Sequence, residues 1–269
     1  MKAVAAVAAL LTLLLGAAVM RPPAAEAMSG RAAAEARRAE LSARPSAVPP
    51  ARDAATGLRE IGTGGGPPAS LYVPARYRSE QPMPLVLMLH GAGGTSRHAL
   101  LLAQRHADRL GFILLAPKSN APTWDVIAGR RYGADARAID AALRQVFAEY
   151  AVDPERIAIA GFSDGASYAL SLGLSNGRLF RFVIAFSPGF MAPAGRQGSP
   201  RIFVSHGVED RVLPIDSCSR RLVPQLRQSG YAVDYREFRG GHAVSEALAR
   251  TAFAGLVNTA PGTPPERSG

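Results

Sequence analysis

The sequence predicts an α/β domain: a mainly parallel sheet with helices covering its faces. Three observations predict it. Short apolar runs without alternation recur between residues 70 and 238, as strands buried on both faces require. Longer segments with helical spacing of apolar residues separate them. The runs also end in glycine- and histidine-bearing turns, and α/β sheets hold ligands at the carboxyl ends of their strands.

The elements follow in order. Ser70 to Pro74 is a short strand, and Pro84 to Leu89 (PLVLML) is a continuous apolar run that stops at His90-Gly91. A helix from His98 to Leu110 is entered through Thr95-Ser96, and Gly111 to Leu115 (GFILL) is the next strand, ending at Pro117. From Gly133 to Tyr150 a helical stripe is formed by Ala138, Ile139, Ala142, Leu143, Val146 and Phe147; it stops before Asp153-Pro154. Arg156 to Ala160 (RIAIA) is a strand closed by Gly161, and a helix from Gly165 to Leu174 opens directly after it. Phe182 to Phe186 (FVIAF), Arg201 to Ser205 (RIFVS) and Val233 to Phe238 (VDYREF) are the remaining strands. Ser217 to Ser229 and Ser245 to Val257 complete the helices.

Composition bounds the function. The 269 residues are 48% hydrophobic and 19% charged, which excludes a wholly disordered chain, a collagen-like chain and a disulfide mini-scaffold. The single cysteine, Cys218, forms no internal disulfide and no zinc-finger or iron–sulfur site, and it reads as a small buried hydrophobe. The net charge of +10 is carried almost wholly by arginine, since Lys2 and Lys118 are the only lysines. That charge is diffuse, with no basic cluster interleaved with aromatics, so no nucleic-acid partner is expected.

Residues 1–27 have the form of an export signal. Lys2 precedes an uncharged run from Ala3 to Met20, and Ala25-Glu26-Ala27 fits a cleavage site. The expected location is periplasmic or secreted; left uncleaved, the same run would anchor the protein to a membrane. Residues 28–66 form an Ala/Arg/Pro/Gly-rich segment expected to be flexible, with a short surface helix at 31–41 broken by Pro45, Pro49 and Pro50. The domain itself spans residues 67–258, and residues 259–269 form a frayed tail.

The chemistry gathers at three strand ends. Gly161-Phe162-Ser163-Asp164-Gly165 is a G-x-S-x-G sequence between a buried strand and a helix. So sharp a turn strains the serine backbone and needs small residues two before and two after it. The hydroxyl then stands at a helix N-terminus, where developing negative charge is favoured. A nucleophilic serine needs a base, and the base needs an orienting acid. His206 and His242 are the histidines after Ser163. His242 lies in a loop past the last strand, after Gly240-Gly241, whereas His206 ends a strand and reads as structural. Asp210 in HGVEDRVLP is the favoured acid, with Glu209 and Asp216 as rivals; Asp216 also suits a helix cap. His90-Gly91-Ala92-Gly93-Gly94 offers backbone N–H groups for an oxyanion hole, with Ala92 and Asp164 as donors and Gly93 as the alternate. His90 is expected to make structural hydrogen bonds beneath the site.

Together these features resemble the α/β-hydrolase superfamily over roughly Ser70 to Val257. The segments LMLHGAGG, VDPERIAIAGFSDGA, SHGVEDRVLP and GGH are similar to those of the phospholipase/carboxylesterase group and of polyhydroxybutyrate-depolymerase-like and feruloyl-esterase-like secreted proteins. The resemblance implies the α/β-hydrolase fold and Ser163, Asp210 and His242 as a catalytic triad. It also implies a small-molecule ester as substrate and no metal or organic cofactor. A serine peptidase of the same fold and a non-catalytic binding protein on that fold are the competing expectations. Asp164 departs from the relatives, which more often carry a neutral residue beside the nucleophile; facing the site, it would disfavour anionic substrates.

Only Ser187 to Pro200 separates FVIAF from RIFVS, too short for a helical lid, so an open, shallow site is expected. Trp124, Phe162, Phe190 and Met191 fall in loops at the same sheet end and are the candidate substrate-pocket residues, with Trp124 favoured as a wall.

Overall fold

The computed structural model describes residues 23–46 and 54–259. Eight strands form one sheet: β1 (Gly57–Ile61), β2 (Ala69–Val73), β3 (Met83–Leu89), β4 (Ile113–Ala116), β5 (Val152–Phe162), β6 (Phe182–Phe186), β7 (Arg201–Gly207) and β8 (Val233–Phe238). Their order is β1-β2-β4-β3-β5-β6-β7-β8. β1 and β2 run antiparallel at one edge, and all pairings from β4 to β8 are parallel. Seven helices accompany them among the described residues: α1 (Pro23–Ala39), α2 (Ser96–Leu110), α3 (Asp125–Ala128), α4 (Ala134–Glu149), α5 (Asp164–Ser175), α6 (Ser219–Gln228) and α7 (Glu246–Val257).

The period-two pleat sorts the strand residues between two cores. Leu85, Leu87, Leu89, Ile157 and Ile159 point to one side and pack with residues of α4, α5 and α6. Val86, Met88, Ala158 and Ala160 point to the other and pack with residues of α2 and α7. All seven residues of β3 are buried, which is why its sequence shows no alternation. α2 starts at a capping box between Thr95 and His98 and ends at Gly111, whose φ of 80° suits a residue without Cβ.

β3 lies between β4 and β5, so the chain leaves it in one direction and returns on the other side. The loops after β3 and β5 therefore part at neighbouring strand ends and leave a crevice there. His90–Gly94 follows β3 and Ser163 follows β5.

The segment expected to be flexible, residues 28–66, instead carries most of α1 and all of β1. Two polar side chains hold its first part. Asn176, 2% exposed, accepts the Leu41 N–H at 2.9 Å and donates to Ala39 O at 2.8 Å. Asp140 accepts the N–H groups of Ser42 and Ala43, both at 2.8 Å, and Leu41 and Ala43 are buried. β1 escapes detection because it is an edge strand: its exposure alternates, and Arg59 pairs with Glu149. Asp216 forms no helix cap; it pairs with Arg220 at 2.8 Å.

The apolar run Ala3–Met20 and residues 260–269 of the expected tail lie outside the described residues. Ala25-Glu26-Ala27 falls within α1. Among the described residues, no helix is long and apolar enough to cross a membrane.

Candidate active site

Ser163 occupies the turn between β5 and α5 with φ of 58° and ψ of −121°, a conformation that few non-glycine residues adopt. Close approach of β5, α5 and β3 imposes it. A Cβ on Gly161 would stand 2.2 Å from Gly165 O, and one on Gly165 would stand 2.4 Å from Leu89 O. The Ser163 N–H donates to Phe186 O of β6 at 3.0 Å, which fixes the turn from the other side.

The structure brings Ser163, His242 and Asp210 together. Ser163 Oγ lies 2.9 Å from His242 Nε2, and His242 Nδ1 lies 2.6 Å from Asp210 Oδ2. The Asp210 side chain is fully buried, while that of His242 remains 15% exposed. An ionised Asp210 requires Nδ1 of His242 to carry the proton, leaving Nε2 as acceptor for the serine hydroxyl. The loops bearing His242 and Asp210 are tied together: Val208 N–H donates to Phe238 O and Glu209 N–H to Gly240 O, both at 2.9 Å.

Burial would push the Asp210 carboxyl up, but its hydrogen bonds outweigh this and hold it below the usual carboxylate range. Oδ1 accepts N–H bonds from Val212 at 2.9 Å and Leu213 at 2.8 Å, and Oδ2 accepts from His242. His206 adds a contact that strand position alone did not reveal. Its ring is fully buried, with Nε2 2.8 Å from Leu213 O and 3.2 Å from Asp210 Oδ2. A carbonyl only accepts, so Nε2 carries the proton and Nδ1 accepts from Ser219 Oγ at 2.7 Å. Glu209 is exposed.

Beneath the crevice, His90 is 1% exposed. Its Nε2 accepts the Ser119 N–H at 3.0 Å, so Nδ1 donates to Gly91 O at 2.8 Å and braces the loop after β3. Gly91 lies against the nucleophile, since a Cβ there would be 3.3 Å from Ser163 Cβ. Among the described residues, the Ala92 and Asp164 N–H groups find no backbone acceptor, whereas the Gly93 N–H is taken by Pro122 O at 2.6 Å. That bond removes Gly93 as the alternate oxyanion donor. The Asp164 carboxylate accepts from Thr123 Oγ1 at 2.6 Å, which ties the side chain to the loop after β4.

The expected pocket residues separate. Trp124 is not a pocket wall: it is fully buried, stacked on Tyr168 at 5.1 Å and 14°, with Nε1 donating to His90 O at 2.9 Å. A buried indole needs a partner for its N–H, and that partner draws it under the loop instead of into the crevice. Phe162 is half-buried with its ring 4.8 Å from the His242 ring. Phe190 and Met191 are half-buried against the core, and Phe190 lines a groove beside α3. No helix occupies Ser187 to Pro200. Among the described residues, no group of three or more His, Cys, Asp or Glu side chains converges as a metal site.

Buried histidines give the protein a pH dependence. Burial lowers His90, His106 and His206 below their usual value near 6.5. The unfolded chain then binds more protons than the folded one as the pH falls below that value. Stability is therefore full above it and is lost on acidification. The melting temperature is expected to fall between about pH 7 and about pH 5. His106 sits 3.5 Å from Glu246 with no hydrogen bond to either ring nitrogen, so His106→Leu should flatten that slope in thermal melts.

Residues 132–250, which include Ser163, Asp210 and His242, match the phospholipase/carboxylesterase family. The chain is 28% identical over 155 residues to "Probable feruloyl esterase C" of Aspergillus oryzae, covering 54% of this chain and 56% of the relative. It is 29% identical over 133 residues to an acetylxylan esterase of Coprinopsis cinerea, covering 44% and 35%. The chain thus spans about half the length, or less, of these curated relatives. Among solved structures, esterase PE8 superposes with a TM-score of 0.56 at 25% identity, covering 75% of this chain and 98% of that one. Sheet order, strand-end turns and these likenesses agree: the chain has the α/β-hydrolase fold, and its residues 132–250 are similar to the phospholipase/carboxylesterase family.

Proposed function

We propose that this chain is an exported serine hydrolase that cleaves carboxylic esters of small molecules through an acyl-enzyme. The observation that carries the proposal is the chain of contacts from Ser163 Oγ to His242 Nε2 at 2.9 Å and from His242 Nδ1 to Asp210 Oδ2 at 2.6 Å. The likeness to the named feruloyl and acetylxylan esterases supports an ester as substrate. Export rests on the sequence of residues 1–27.

The proposed chemistry assigns one task to each group. His242 Nε2 takes the Ser163 proton as the hydroxyl attacks the ester carbonyl. Asp210 keeps Nδ1 protonated and stabilises the imidazolium that forms. The oxyanion is held by the N–H groups of Ala92 and Asp164, which find no backbone acceptor among the described residues. The alcohol leaves with the proton from His242, and water repeats the cycle on the acyl-enzyme. The Thr123 bond draws the Asp164 carboxylate aside, so that residue contributes its N–H while its charge is engaged elsewhere.

The test is a panel of p-nitrophenyl esters, methyl ferulate and an aminoacyl anilide, together with labelling by a fluorophosphonate. Turnover of esters and labelling at Ser163 are expected. Turnover of the anilide alone would replace the esterase with a peptidase. A folded protein that neither turns over an ester nor labels at Ser163 would be a binding protein on this fold.

A further inference from the structure

His206 lies on β7, four residues before Asp210, and the proposed chemistry gives it no task. Its ring is wholly buried, where each ring nitrogen left without a partner would be costly. Both nitrogens are paired. Nε2 donates to Leu213 O at 2.8 Å, and Nδ1 accepts from Ser219 Oγ at 2.7 Å. Ser219 is also wholly buried and is the first residue of α6. The two bonds therefore reach the two ends of one segment: the turn that follows Asp210 and the start of α6. The chain from Leu213 to Ser219 is fastened to β7 through this ring. An apolar side chain of similar bulk would fill the space and fasten neither end.

The fastened residue is the one that holds the carboxylate. Leu213 presents its carbonyl to His206 and its N–H to Asp210 Oδ1 at 2.8 Å. Oδ1 also accepts the Val212 N–H at 2.9 Å. With Oδ1 fixed by the turn, Oδ2 is left to accept from His242 Nδ1 at 2.6 Å. A carboxylate oxygen has a second lone-pair position, and His206 Nε2 stands 3.2 Å from Oδ2. The Nε2 proton is directed to Leu213 O, yet its positive end also faces Oδ2. The other neutral tautomer would turn a bare lone pair toward both oxygens and repel them. The charged and titratable groups around His206 are Asp210, His242 beyond it and Glu237 of β8, whose carboxylate is engaged by Arg220 of α6.

We propose that His206, neutral and protonated at Nε2, is a positioning residue: by fixing Leu213 it keeps Asp210 Oδ2 aimed at His242 Nδ1. The inference rests on the esterase reading of Ser163. It adds to the relay a fourth member that takes no proton and acts only through Asp210. Without the ring, Leu213 is free to shift and the Asp210 carboxylate to rotate. His242 then loses the partner that orients it and stabilises its imidazolium.

The experiment uses the full chain. His206→Leu removes both nitrogens at similar bulk, and His206→Gln returns an amide N–H close to where Nε2 stands. With p-nitrophenyl acetate, His206→Leu should lose about ten- to a hundredfold in kcat, with KM within about twofold. The acid limb of its kcat/KM profile should move to lower pH by about 0.5 or more, because a carboxylate turned away from Nδ1 favours the imidazolium less. His206→Gln should recover most of both. Glutamine does not titrate, so a limb that returns with it belongs to His242 and not to residue 206. Loss of packing alone would lower the melting temperature of both variants and move neither limb. Histidine ¹⁵N NMR of the wild type covers the case in which His206→Leu does not fold: near neutral pH it should show His206 uncharged, with the proton on Nε2. Unchanged kcat in His206→Leu, equal losses in the two variants, or a wild-type His206 that is charged or protonated at Nδ1 overturns the inference while the esterase stands. No turnover of p-nitrophenyl acetate by the wild type overturns the esterase reading and this role with it.

Discussion

Ser163→Ala is expected to lower kcat for p-nitrophenyl acetate by at least about 10⁴-fold, with the melting temperature and KM little changed. The size follows from what remains. Loss of the hydroxyl removes the proposed covalent route, while the proposed oxyanion donors, the Ala92 and Asp164 N–H groups, are left in place. Triads act as a unit, so removing the nucleophile costs nearly as much as removing the whole relay, and only oxyanion stabilisation and binding persist. The fold should tolerate the change. The turn is held by Ser163 N–H to Phe186 O and by the Gly161–Gly165 approach, neither of which involves the hydroxyl. A stopped-flow or long-time assay beside a thermal melt checks both halves. Retention of more than about a hundredth of the wild-type rate, with the fold intact, would mean that another group attacks the ester, because a positioned acid or base alone supplies about 10²–10⁴-fold.

Legibility in the sequence tracked where each residue's partners lie. β3, β5 and β6 were readable because burial on both faces leaves continuous apolar runs, and the runs need no knowledge of distant residues. β1 was not readable because an edge strand with one wet face and an Arg59–Glu149 pair has no such run. The docking of residues 39–43 depends on Asn176 and Asp140, roughly a hundred or more residues away, and nothing local to either segment announces it. Ser163, His242 and Asp210 were legible because each follows a strand end whose glycines mark a tight turn. The structure brings these three together at hydrogen-bond distance. Trp124 failed for the opposite reason: a loop position beside the site is compatible with wall or floor, and only His90 O and the Tyr168 ring decide that it is floor.

Gly161→Ala is expected to lower the melting temperature by about 6–12 °C and to abolish ester turnover, although alanine adds a single methyl group. The added Cβ would lie 2.2 Å from Gly165 O, 2.3 Å from Gly165 C and 2.7 Å from Ala166 N. All three are backbone atoms of the first turn of α5, so no side chain can rotate away. The helix cannot retreat toward β3 either, because Gly165 already approaches Leu89 O so closely that its own Cβ would stand 2.4 Å away. Overpacking of this kind costs about 3 kcal/mol or more, and at about 2–4 °C per kcal/mol for a domain of this size the stated drop follows. Activity fails more sharply than stability. Any displacement of α5 carries Ser163 with it, and a shift of about 1 Å in a reacting group can cost about 10²-fold even before the 2.9 Å contact to His242 is lost. Gly255→Ala in α7 is the control, since its Cβ would meet nothing within 4 Å. There the gain in helix propensity should stabilise by about 0.5–1 kcal/mol and leave turnover unchanged. Paired melts and assays of the two variants separate the cases: if Gly161→Ala behaves like Gly255→Ala, α5 is not pinned between β3 and β5, and the strained turn at Ser163 has some other origin.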